Sequence, residues 1–174
     1  MVDQGKSPGV EEERDAIVFQ LYISHMSETE KLELENRPCG SCTKCCEGWL
    51  SANIKGHPMF PGRPCFFLAE GKCTIYEERP GTCRSYNCAW KSEETFPMWM
   101  RPDLTGLIIT RVVHPGREDL THYEVAEAGG KLTVEMLNWL IQWALDKGVN
   151  LFYEIDGKHH TIGSPAFRQA MNSY

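Results

Sequence analysis

The chain has 174 residues, 41% of them hydrophobic and 24% charged, which is enough for one domain whose core supports itself. Its eight cysteines therefore do not compensate for an undersized core, as they do in small secreted scaffolds. A formal net charge of −6 and a pI near 5.5 argue against nucleic acid or an anionic membrane as the main partner.

The opening MVDQGKSPGVEEERD is acidic and polar, with no apolar run behind a basic start. No stretch approaches the length of a membrane span, so the pattern points to the cytoplasm. There thiols stay reduced, and clustered cysteines more often bind metal or do redox chemistry than form disulfides. Residues 11–25, EEERDAIVFQLYISH, are expected to form an amphipathic helix. Ile17 with Leu21 and Val18 with Tyr22 supply the apolar stripe, and acids fill the first turn, where the helix dipole favours them. Ser27 and Glu30 have the capping-box spacing and open a second short helix. Residues 1–36 thus make an N-terminal helical arm.

Residues 37–91 are different in kind. All the cysteines lie here, among five prolines and many glycines. Periodicity is poor, only short helical turns fit, and regular layering cannot order such a segment. Metal–thiolate bonds can. The charge is also local: eight Lys/Arg (37, 44, 55, 63, 72, 79, 84, 91) against four Glu (47, 70, 77, 78) give 8 − 4 = +4. Two zinc ions with four thiolates each would carry −4, and nearby positive charge favours thiolate over thiol.

Residues 92–174 regain ordinary patterning and are expected to pack with the preceding segment. LTGLIITRVV and THYEVAEA are predicted strands, the second ending at Gly129-Gly130. TVEMLNWLIQWALDKG is a predicted helix with Thr133 as N-cap, Gly148 as C-cap and an apolar face through Val134, Leu137, Leu140, Ile141 and Ala144. LFYEIDGKHHTI is a predicted hairpin turning about Asp156-Gly157. Ser164-Pro165 opens a last short helix. The fold class is α+β: an irregular, metal-ordered cysteine segment packed with a small antiparallel sheet and a few helices.

The cysteines are Cys39, Cys42, Cys45, Cys46, Cys65, Cys73, Cys83 and Cys88, and all eight are candidate metal ligands. Cys39-x-x-Cys42 has the knuckle spacing that brings two thiolates to one tetrahedral ion, and Cys42-x-x-Cys45 repeats it. Cys45 and Cys46 are adjacent, and neighbouring side chains of an extended chain diverge, so the pair suits two neighbouring centres. Eight thiolates divide into two four-sulfur sites, and spacing alone allows several partitions. All-sulfur ligation selects zinc or an iron–sulfur cluster. The first three cysteines match the start of a bacterial-ferredoxin run, which the immediate fourth cysteine then breaks.

CGSCTKCC followed by CFFLAEGKCTIYEERPGTCRSYNC resembles the bacterial cysteine-cluster family of zinc- or iron-chelating proteins, known by its Cys-x-x-Cys-x-x-Cys-Cys motif. The family pattern continues through Cys73, Ile75, Tyr76, Arg79, Pro80, Cys83, Arg84 and Cys88, all present here. The resemblance covers about residues 37–91 and implies chelation without fixing the metal. A related motif occurs in flagellin lysine methylases, where the implied centre is iron–sulfur. This chain has no glycine-rich nucleotide fingerprint, so that activity does not carry over.

Arg79 and Arg84 flank Cys83, where a guanidinium can donate to sulfur and offset its charge. Trp49, Trp90, Phe66 and Phe67 are expected to form a dry shell around the site, and Trp139 and Trp143 to serve a core or an interface. With eight thiols available, His25, His57, His114 and His122 are not needed as ligands, and His159-His160 belong on a strand surface. Outside the cysteines no catalytic constellation stands out. The function expected is therefore a metal-binding protein holding two zinc ions in a mainly structural or binding role, with metal ions as partners and the C-terminal part as a possible protein-binding surface. The alternatives are an iron–sulfur protein in electron transfer or within an enzyme, and a metal storage or delivery protein.

Overall fold

The structure, a computed structural model, describes residue 37 and residues 39–172; the helices expected over 11–25 and from Ser27 lie outside the described residues. Two small hairpins fall inside the cysteine segment. β1 (Ala52–Ile54) pairs antiparallel with β2 (His57–Met59), and β3 (Leu68–Ala69) with β4 (Lys72–Cys73). Both close through two residues of positive φ, Lys55 at 48° with Gly56 at 88° and Glu70 at 49° with Gly71 at 69°. These are the left-handed pairs that match strand twist. Strands of two or three residues are too short to show a period, and Lys-Gly and Glu-Gly are weaker turn signals than Asp-Gly, so the sequence pattern predicts neither hairpin.

This segment has a small core of its own. Ile54, Met59 and Cys65 are buried, with Cys46, Leu50, Phe67, Leu68, Ile75 and Cys83 half-buried around them. Packing therefore contributes to a stretch that sequence patterning assigns to metal alone. Gly48 lets it close: at φ +84°, a Cβ there would lie 2.7 Å from the Arg63 carbonyl carbon, so only glycine admits the loop that leads to Cys65.

Three short helices follow, α1 (Gly81–Ser85), α2 (Ala89–Ser92) and α3 (Pro102–Thr105). The main sheet then forms from β5 (Leu107–Val112), β6 (His122–Glu127), β7 (Asn150–Ile155) and β8 (Lys158–Ile162), in that order. The outer pairs are antiparallel, but β6 and β7 run parallel, with Tyr123 opposite Leu151. The small sheet expected to be antiparallel is thus mixed. Its parallel pair follows from the crossover helix α4 (Val134–Lys147), since parallel neighbours need a long connection. Thr133 Oγ1 accepts from the Met136 N–H at 3.3 Å and Gly148 takes φ 64°, the caps expected of them. The β7–β8 turn is Asp156-Gly157, both at positive φ. Ser164 Oγ accepts from the Phe167 N–H at 3.1 Å and opens α5 (Pro165–Met171).

The main core lies on one sheet face, where Leu107, Ile109, Tyr123, Val125, Leu151 and Tyr153 meet Leu140, Trp143 and Ala144 of α4. Ala89, Trp90, Phe96 and Met100 complete it. Val134, expected on the apolar face of α4, is 69% exposed; Leu140 and Ala144 of that face are buried and Leu137 packs on the core as expected, joined by buried Trp143 and by Trp139 beside it. On the opposite face Phe167 of α5 is fully buried, its ring 5.0 Å from that of His122. The described elements belong to one compact unit, Cys39–Tyr174, and the class is mixed α+β.

Candidate metal centre

All eight cysteines are free thiols; Cys65 is buried and the other seven half-buried. Cys39 and Cys42 are joined by a turn in which the Cys42 N–H donates to the Cys39 carbonyl at 2.8 Å. A single 3₁₀ turn, Lys44–Cys46, follows. The chain here is therefore not extended, and the Cys45 and Cys46 sulfurs do not diverge but lie 3.8 Å apart. The Cys65 N–H donates to the Cys46 carbonyl at 2.8 Å. Cys73 lies opposite Leu68 across the β3–β4 hairpin, Cys83 sits within α1 and Cys88 at the N-cap of α2.

Backbone N–H groups act on three of the sulfurs: those of Lys44 and Asp103 on Cys42, that of Cys45 on its own sulfur, and that of Lys91 on Cys88. Such donors favour the thiolate. Burial works the other way. It pushes the Cys88 thiol up to about 11 and raises those of Cys42 and Cys83. The Cys45 thiol is also raised, first by its hydrogen bond with Cys46, then by burial and by the charge of Cys46. Without a cation these groups stay protonated at neutral pH.

Arg79 stacks on Tyr76 with its guanidinium carbon 3.5 Å from the ring centroid, and its Nε donates to the Tyr76 carbonyl at 2.7 Å. From there its charge favours the thiolates of Cys45 and Cys83. Arg84 donates to the Glu77 carbonyl at 3.2 Å, which braces the loop before α1. Trp90 is buried and Phe67 half-buried, but Phe66 is 68% and Trp49 39% exposed, so the expected dry shell is two rings, not four. His57 stacks on Phe66, with ring centroids 4.0 Å apart. His122 is buried with Nδ1 2.8 Å from the Leu120 carbonyl, and its ring stacks 5.5 Å from that of His114. His159 and His160 are exposed on β8, as expected. His25 lies outside the described residues.

Three neighbours of the cysteines escape sequence reasoning. Asp103 approaches Cys42 from α3, held by a bidentate pair with Arg101 at 2.6 Å on each oxygen, and Arg101 also reaches Ser41 Oγ at 3.4 Å. Tyr86, its hydroxyl 2.9 Å from Thr110 Oγ1, lies within electrostatic reach of Cys88 and Cys45. Sequence spacing does not reveal them, because the contacts that bring Asp103 to Cys42, Arg101 to Ser41 and Tyr86 to Thr110 and Cys45 span long stretches of chain. Among the described residues no group of three or more His, Cys, Asp or Glu side chains is arranged to close on one ion, and no helix is long and apolar enough to cross a membrane. No protein-family model, no curated protein and no solved structure matches the chain.

Proposed function

We propose that this protein binds zinc, two ions per chain, through its eight cysteine thiolates, and that the ions order residues 39–91 in a mainly structural role. The observation that carries the reading is that cysteines distant in sequence come together in packed surroundings within a region of positive side-chain charge. Cys46, Cys65 and Cys83 meet around Ile54 and Met59, while Cys88 packs on the main core. Scattered core cysteines would not assemble so. Zinc suits the donor set, because four thiolates close a tetrahedral ion and leave no open position for a substrate. Each ion would displace four thiol protons to solvent and leave a centre of charge −2. The charge of Arg79, and the N–H groups on Cys42 and Cys88, offset part of that. The resemblance to the bacterial cysteine-cluster family supports chelation, and thiols unbridged at this density suit the reducing cytoplasm.

The test is metal analysis of protein purified without oxygen from zinc-supplemented cells. About two zinc per chain in a colourless protein supports the reading. Brown protein with stoichiometric iron and sulfide overturns zinc in favour of an iron–sulfur centre, and protein with no bound metal overturns both.

A further inference from the structure

Far from the cysteines, α4 carries an apolar line that its own fold does not use. Leu140, Trp143 and Ala144 are buried against the sheet. The flank that holds Trp139 is covered by Phe96 and Trp99, with ring centroids 5.1 and 5.9 Å away. On the other flank Val134 is 69% and Leu145 59% exposed, with Ile141 half-buried between them. These three stand at i, i+7 and i+11, so they line one side of the helix, and exposed Asn138 fills the gap at i+4. Single exposed aliphatic side chains are ordinary, but a row along the length of a helix marks a surface that meets a partner.

The steps from Val134 to Asn138, Ile141 and Leu145 are four, three and four, the spacing of a helix–helix seam. Read backwards the steps are the same, so the line fits a second copy of itself in antiparallel order. Val134 then meets Leu145 of the partner subunit, and Asn138 meets Ile141 of the partner subunit. One patch used twice about a two-fold axis is what a symmetric dimer requires. The polar border agrees. It consists of exposed Lys131, Glu135, Gln142 and Asp146. Antiparallel order sets Lys131 beside Asp146 of the partner subunit and Glu135 beside Gln142 of the partner subunit, whereas parallel order sets like charge on like. Lys131 also holds Glu127 of its own chain, and its ammonium has three protons to share. Opposed helix dipoles favour the same order. We propose that two copies of this chain associate through α4, antiparallel, with the two-fold axis between Asn138 and Ile141.

A seam of this size lies at the low end of interface areas, so the dimer should form with a Kd of about 10–100 µM. Sedimentation of the full chain tests it. Between about 1 µM and about 1 mM the mass should rise from 19.8 kDa towards twice that value. Leu145→Glu, on the exposed side of α4, should weaken association on the order of 100-fold. Asn138→Leu removes the polar group from the seam and should tighten it on the order of 10-fold; this gain does not arise from a variant that fails to fold. Asp146→Lys sets two lysines together across the axis and should weaken the dimer by about 3- to 10-fold. A chain that keeps a mass of 19.8 kDa at every concentration overturns the proposal, as it would if a different partner covered the line. A dimer that Leu145→Glu and Asn138→Leu both leave unchanged overturns it as well, because the contact then lies elsewhere. A dimer that Asp146→Lys leaves unchanged or tightens overturns the antiparallel order.

Discussion

The cysteine segment and the sheet that follows it differ in how much packing is available to order them. The main core gathers thirteen buried side chains from four helices or loops and three strands; the smaller core buries Ile54, Met59 and Cys65. Three buried side chains are worth about 1.5–3 kcal/mol each, whereas one structural zinc site contributes about 10–16 kcal/mol. Where layers of regular structure exist, packing suffices. Where hairpins of two and three residues and single helical turns are all the chain can make, the proposed coordination would outweigh packing.

Metal removal sharpens that comparison most. On chelation, amide exchange within Cys46–Cys65 and the β3–β4 hairpin should accelerate on the order of 100-fold or more, while the amides of β5, β6 and α4 change little. Hydrogen exchange read by mass spectrometry at peptide level separates the two regions. Equal acceleration throughout would mean that the sheet also depends on metal, and no acceleration would mean that packing alone orders the cysteine segment.

The converse break is made from the sheet side. Leu140 on α4 is fully buried in the main core, and Leu140→Ala should cost about 2–5 kcal/mol in global stability. Urea unfolding measures the loss, and zinc content should remain at two per chain. Loss of zinc along with stability would show that the two regions fold as one cooperative body.

The two regions also differed in how far they could be read from the chain. After Thr133 nearly every signal had a local cause: an N-cap hydroxyl, a C-terminal glycine, an Asp-Gly turn, a Ser-Pro helix start. Each depends on residues within four positions, so each was legible. The parallel β6–β7 pair was not, because strand direction depends on where α4 carries the chain. Nor was the exposure of Val134, since the first turn of a helix can project past the surface it packs on. In the cysteine segment the thiols and their short spacings were plain, but their neighbours were not. Those depend on contacts such as Cys65 with Cys46, or Asp103 with Cys42, that span long stretches of chain. The premise that adjacent cysteines diverge failed because Lys44–Cys46 is a helical turn, not an extended one.

The smallest effect belongs to the joint between the regions. Tyr123 of β6 donates its hydroxyl hydrogen bond to Glu93, which follows α2 and so stands a few residues from Cys88. Tyr123 is buried, and burial first, then the Glu93 carboxylate, raises its hydroxyl pKa well above the usual tyrosine range. A raised pKa means that the folded state keeps its proton where the unfolded state loses it. The bond's contribution is therefore complete below about pH 10 and declines above it as the unfolded state ionises. Tyr123→Phe should accordingly cost about 1–2 kcal/mol at neutral pH. The gap to the unaltered protein should close above pH 10 by up to about 1.4 kcal/mol per unit. Chemical denaturation of both proteins at pH 7, 9 and 11 measures it, in a range where thiolate ligation is not lost to protons. A gap that stays constant with pH would show that the hydroxyl is not protected on folding. A fall in zinc content with Tyr123→Phe would show that this bond holds Cys88 in place and not merely α2 against the sheet.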